Sequence, residues 1–146
     1  MMNNTRNQII NALFALLQNA SGFNYSSRKI KLWSDTPPEQ RPALFLMEHG
    51  EQYERVATGQ PPKITLECTV FIYTNAIQQE VPPPAASLDD ILDAIDKALA
   101  PDLISNAQTL NGLCSHCWIE GRIVKTPGDL DGDGIAIIPI RILVPA

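Results

Sequence analysis

Apolar residues recur along this chain at two periods, every second residue in some stretches and every third or fourth in others, and these periods mark out its elements. The last stretch, residues 134–146 (GIAIIPIRILVPA), repeats at the strand period, with Ala136, Ile138, Ile140, Ile142 and Val144 on one face. Its opposite face carries Ile135, Ile137, Pro139, Arg141 and Leu143, which is also largely apolar. A strand apolar on both faces needs cover on both, from the chain's own helices on one side and from a neighbour on the other. Pro139 cannot donate to a ladder, so the strand is expected at a sheet edge or at a bulge. Residues 63–74 form the cleanest second strand, with Ile64, Leu66, Cys68, Val70 and Ile72 inward and Lys63, Thr65, Glu67 and Thr69 outward. Shorter strands are expected over 28–33, 43–47 and 52–57, the last two joined by a turn at His49-Gly50. Residues 113–125 should pair with the terminal strand through the Gly/Asp turn Gly128-Asp129-Leu130-Asp131-Gly132-Asp133-Gly134.

Two stretches carry the helical period. Thr5-Arg6-Asn7-Gln8 reads as a capping box, followed by the stripe Ile9, Ile10, Leu13, Phe14, Leu16 and Leu17, so a helix is predicted over 5–20 with Gly22 beyond its end. Ser87-Leu88-Asp89-Asp90 should cap a second helix, whose stripe is Leu88, Ile91, Leu92, Ile95 and Leu99 and whose stop is Pro101. Asp89, Asp90 and Asp93 would lie in or near its first turn, where the helix dipole favours negative charge. Residues 34–42 and 58–62 read as loops, and 81–86 as a stiff proline spacer that does not separate domains. The expectation is one α+β domain over residues 1–146, a mainly antiparallel sheet with two helices packed on one face. The other face of the sheet is left over.

Composition narrows the class. With 146 residues and 45% hydrophobic content, the chain can bury an ordinary core without staples. No apolar run approaches the roughly 20 residues of a membrane helix, and MMNNTRNQII lacks the pattern of a secretory signal. Three cysteines cannot all pair within one chain, which favours a reduced, cytoplasmic history. Net charge is −5, divided unevenly: residues 1–63 hold seven Lys/Arg against five Asp/Glu, residues 64–146 four against eleven. An acidic half argues against wrapping nucleic acid, because phosphate neutralisation needs clustered cations, but it suits a wall past which DNA slides.

Candidate chemistry is sparse. Cys114-Ser115-His116-Cys117, with Cys68 and His49 elsewhere, offers zinc-type donors, yet a closed zinc site needs four ligands, usually as two spaced pairs. A hairpin start is the simpler reading, and no metal or cofactor is assigned. A Cys/His nucleophile lacks an orienting partner and an oxyanion loop. Asp129-x-Asp131-x-Asp133-Gly134 imitates half of a calcium loop but places Ile140 where the bidentate Glu belongs. Asp89, Asp93 and Asp96 read as a solvated helix face, and Trp33, Tyr53, Tyr73 and Trp118 are too scattered for base stacking. No phosphate loop, Gly-x-Ser-x-Gly or dinucleotide fingerprint occurs, so no enzyme is expected.

The layout resembles the tail terminator (tail completion) proteins of long-tailed bacteriophages, the lambda U-like group. The resemblance runs over nearly the whole chain. It is carried by the capped first helix, by Arg41-Pro42-Ala43-Leu44-Phe45-Leu46, and by Pro61-Pro62-Lys63-Ile64-Thr65-Leu66 leading into the long strand. One helix after a proline spacer and a final strand closing with Val144-Pro145 complete it. The resemblance implies an α+β virion subunit at the head-proximal end of the tail, assembled in the host cytoplasm. It implies a homo-oligomeric, hexameric ring that caps the tail tube, stops its polymerisation and meets the head-tail connector protein. DNA would pass through the lumen without sequence-specific binding, and no membrane is involved.

No individual functional residue comes with the resemblance. From the sequence pattern, Glu51, Tyr53 and Arg55 in the expected central hairpin and Arg141 on the last strand are candidate interface residues, having polar tips at an edge. The competing readings are another head-tail connector or a tail-tube or baseplate-type subunit, and a small-molecule or metal-binding regulatory domain using Cys114, His116 and Cys117.

Overall fold

Two long antiparallel strands, β3 (Lys63–Asn75) and β6 (Asp133–Leu143), pair from Thr65 opposite Leu143 to Asn75 opposite Asp133 and form the centre of the sheet. The computed structural model describes residues 5–75, 81–128 and 132–145. Around this pair lie α1 (Arg6–Gln18), β1 (Tyr25–Ser27), two 3-10 turns (Trp33–Asp35 and Pro38–Gln40), β2 (Ala43–Glu54), α2 (Ala85–Ala98), β4 (His116–Ile119) and β5 (Val124–Thr126). The strand order is β1-β2-β3-β6-β4, and β5 also pairs with β6. All pairings are antiparallel except that of β1 with β2, so the sheet is mixed within an α+β fold.

Both helices pack on one face of this sheet. Ile9, Ile10, Leu13 and Leu17 of α1 and Leu88, Ile91 and Ile95 of α2 share one core with Leu44, Leu46, Leu66, Cys68, Val70, Ile72, Ala136, Ile138, Ile140 and Ile142. Strict alternation in β3 and β6 sends every second residue into this core. The capping box closes as the sequence implies: Thr5 Oγ1 accepts from the Gln8 backbone amide at 3.1 Å, and the Gln8 side-chain Oε1 accepts from Thr5 N at 2.9 Å.

Several elements depart from their expected places, each for a local reason. The strand expected over 28–33 is instead Tyr25–Ser27. The Ser27 hydroxyl takes the Lys29 amide at 2.9 Å and turns the chain away from the ladder. The turn expected at His49-Gly50 is a β-bulge, and β2 runs straight through it as one strand, so no central hairpin forms there. α2 starts at Ala85 behind Pro84, which has no amide to leave unsatisfied; Ser87 is inside the helix and the first turn holds no acidic residue. The strand expected over 113–125 is broken into β4 and β5.

That break corrects the placement of β6, which is interior and not an edge. The Pro139 carbonyl accepts from the Glu120 amide at 3.2 Å, so the missing Pro139 donor also faces the irregular residues between β4 and β5. A proline is tolerated in a central strand because its partner bulges away, with Gly121 beside its ring.

Gly134 marks a close approach at the start of β6. A Cβ there would fall on Thr74 Oγ1 and lie 3.4 Å from the Pro127 carbonyl oxygen. Thr74 is buried and cannot swing clear. We expect Gly134→Ala to cost roughly 1–3 kcal/mol of stability, read as a lower midpoint in urea denaturation.

Candidate interaction surface

The face of the sheet away from the helices is covered at one end only. There Ala43, Phe45 and Tyr73 are buried beneath Tyr25 and Trp33, with Phe71 and Ile135 packed alongside. The covering segment is fixed by the Tyr73 hydroxyl, which donates to the Lys31 carbonyl at 2.8 Å, and by Lys31 Nζ 4.2 Å above the Tyr25 ring. Beyond this cover the same face runs on through Met47, Thr69, Ile137, Pro139, Arg141 and Leu143, all half-buried, with Val124 exposed beside them. The residue pattern of β6 anticipates this partly open apolar strip.

Arg41 closes the covered end. Its side chain is 6% exposed and reaches Asp133 at 2.6 Å, Asn75 Oδ1 at 3.3 Å and the carbonyls of Thr36 and Trp33 at 3.0 and 3.2 Å. Its guanidinium also lies 5.0 Å from the centre of the Trp33 ring. One buried cation thereby joins the 3-10 turns to the end of β3 and the start of β6. Four of its five N–H donors are placed by these bonds, as the burial of a charge demands.

The four residues singled out from sequence do not gather at one place. Glu51 and Tyr53 turn toward the helices. Arg6 of α1 donates Nε to Glu51 Oε2 at 2.6 Å, and its Nη2 to Glu51 Oε1 at 2.8 Å and to the Tyr53 hydroxyl at 2.6 Å. Arg28 makes a second tie on that side, to Asn7 and Asn11 of α1 at 2.7 Å each and to Glu48 at 3.1 Å. Arg55 lies in the exposed turn after β2 and donates to Thr58 Oγ1 at 2.9 Å. Arg141 stands on the open strip, paired with Glu120 at 2.7 Å.

The cysteine–histidine cluster is divided by the sheet. Cys114 and Cys117 point into the helix-side core with Cys68, whereas His116 stacks on Trp118 with ring centres 5.1 Å apart. His116 Nδ1 accepts from the Gln108 amide at 3.0 Å, which occupies one of its two donor positions. Among the described residues no three His, Cys, Asp or Glu side chains are grouped to hold a metal. Burial pushes the Cys68 thiol up to about 12 and Cys114 to about 11, and raises Cys117 as well. Of the calcium-like turn, residues 129–131 lie outside the described residues; Asp133 is engaged by Arg41.

One surface feature was missed from sequence. Leu103 and Ile104 are 95% and 94% exposed on the loop after α2. The loop is tightly built. Asp102 Oδ1 accepts from the amides of Ile104 and Ser105 at 2.7 and 3.3 Å, Asp102 N donates to Ala107 O at 3.0 Å, and Asn106 N to Asp102 O at 2.8 Å. The available signal was an aliphatic pair set between turn formers, Pro101-Asp102 and Ser105-Asn106. Burying one such side chain is worth about 1.5–3 kcal/mol, which this ordered loop forgoes for both.

No protein-family model matches the chain, and no curated protein sequence does either. Among solved structures the chain is similar to one in the virion of a native gene transfer agent (GTA) particle. The identity is 14% and the TM-score 0.45, over 92% of this chain and 84% of that one.

Two measurements check this description. The hydrogen bond from Arg6 holds the Glu51 carboxyl below its ordinary value, so the pair's stabilisation is present above the ordinary Glu range, near ~4.3, and is lost as pH falls through the lowered value. We expect the melting temperature of Glu51→Gln to lie below the parent's at neutral pH and to converge on it in acid. The raised thiols should resist alkylation at pH 8 in the native protein, because the thiolate is the reacting species. We expect all three to label readily only in denaturant.

Proposed function

We propose that this protein, as one α+β domain, is a non-enzymatic structural subunit of a phage-type virion, a tail terminator. Its copies close into a hexameric ring at the head-proximal end of the tail. The ring caps the tail tube, stops its polymerisation and meets the head-tail connector, and DNA passes through the lumen without sequence-specific contact. The reading combines the whole-chain resemblance of the sequence with one observation, the partly open apolar strip through Ile137, Pro139 and Leu143. A lone chain leaves that strip to solvent, and repeated head-to-tail contacts or the tube itself would cover it.

Of the interface candidates, Arg141 stands on this strip and Arg55 beside the exposed Val56 at the end of the β2–β3 hairpin. In this reading both meet a neighbouring subunit. Glu51 and Tyr53, tied to Arg6, lie on the opposite, helix-side face and in this reading meet a neighbour there. The acidic balance of residues 64–146 suits a surface that DNA slides past.

Native mass measurement on the purified protein tests the proposal. We expect one discrete multiple of 16.1 kDa. An open-ended distribution would move the reading to a tail-tube subunit. A lone 16.1 kDa species at high concentration would overturn it.

A further inference from the structure

We propose that successive copies of this chain meet through two opposite ends of the sheet, residues 29–32 of one copy against α2 and the Leu103–Ile104 loop of the next. The inference rests on the ring reading above and adds to the open strip a second pair of contact surfaces.

The first surface follows β1. Lys29-Ile30-Lys31-Leu32 alternates cation and aliphatic, and Ile30 and Leu32 are 37% and 70% exposed. Arg28 beside them is occupied by Asn7, Asn11 and Glu48; the cations of this patch are the exposed Lys29 and the half-buried Lys31, whose ammonium lies over the Tyr25 ring.

The second surface lies at the far end of the strand order. Lys125 of β5 bonds Asp89 of α2 at 2.9 Å, and Gln108 ties the loop after α2 to His116 of β4 and to the carbonyls of Ala98 and Ala100. Asp90, Asp93 and Asp96 remain exposed on α2, offset only by Lys97, and Asp102 carries the exposed Leu103 and Ile104. Each surface is thus an aliphatic pair flanked by charge, cationic on one and anionic on the other.

Four strand spacings separate β1 from β4, about 19 Å at ~4.8 Å each. One copy therefore cannot bring its own two patches together. A second copy can, and a contact between unlike patches propagates head to tail and closes into a ring when the rotation allows. Opposite charge sets the register and the aliphatic pairs supply the buried centre. A second copy is the occupant that this complementarity selects.

The test uses the full chain at low and moderate salt, with assembly read by native mass and sedimentation. Lys29→Glu with Lys31→Glu, and separately Asp93→Lys with Asp96→Lys, should each shift the species toward single subunits, weakening association at least tenfold. All four changes in one chain should restore assembly, because the attraction is inverted and not removed. Ile104→Ser, which leaves every charge in place, should also weaken it, and added salt should weaken the parent. Circular dichroism and melting of each variant check that the fold is intact, including in Lys31→Glu, which gives up the contact with Tyr25. If the parent assembles but the charge variants assemble equally well, or the fourfold variant is no better than the pairs, the contact named here is wrong and the ring reading stands. If the parent is a single subunit under all conditions, both fall.

Discussion

A buried guanidinium holds this fold at the point where its parts converge. Arg41 carries a full charge inside the protein, at a cost of several kcal/mol unless it is paired and hydrogen-bonded. Asp133, Asn75 and two carbonyls of the preceding turns meet that requirement. The consequence reaches past the ion pair. Asp133 opens β6, Asn75 closes β3 opposite it, and Trp33 lies across the guanidinium while helping to bury Phe45 and Tyr73. Removing one partner from such a buried pair typically costs about 3–5 kcal/mol, because the other charge is then left alone. Here it would also release the segment that covers one end of the sheet.

With that end closed, the remaining face of the sheet acquires its character. The helix side is a continuous aliphatic core, whereas the opposite side passes from an aromatic cluster under the 25–35 segment to a half-open strip along β6. The charges follow a separate axis, cationic beyond β1 and anionic along α2. A chain with unlike ends and a partly open face offers broad contact surfaces more than a deep ligand site. A surface recess of about 410 Å³ between the helices agrees with this: it is lined mainly by Ala12, Ala15, Leu16, Ala20, Ala98 and Leu110 and gathers no convergent set of ionisable groups.

Local signals were legible in the sequence and distant ones were not. The capping box at Thr5 and Gln8 spans three residues, and the alternation from Ile64 to Ile72 needs only the strand period, so α1 and β3 stand where expected. Lys29-Ile30-Lys31-Leu32 also alternates, yet it is not a strand, because the Ser27 hydroxyl ends the ladder before it. Pro139 signalled an irregularity correctly but placed it on the wrong strand, since the compensating break belongs to the partner. Arg41 was visible only as part of a run of residues; its carboxylate lies 92 positions away, a separation no periodicity encodes. Cys114, His116 and Cys117 were adjacent on paper, and the sheet places thiols and imidazole on opposite sides. Leu103 and Ile104 escaped notice because exposure is a property of the folded surface.

The bulge in β2 has a consequence of its own. Up to Glu48 the even-numbered residues look toward the helices; the unpaired His49 inverts that parity, and from Glu51 onward the odd-numbered ones do. The salt link between Arg6 and Glu51 is therefore set by the pairing of Glu51 with Leu66, which lies in the helix-side core. Deleting that one residue would straighten the ladder, with Glu48 opposite Cys68 and the next residue opposite Glu67, and would leave Glu51 and Tyr53 facing Arg6. The bulge thus works as a take-up loop, letting the strand carry one spare residue without turning its far half over.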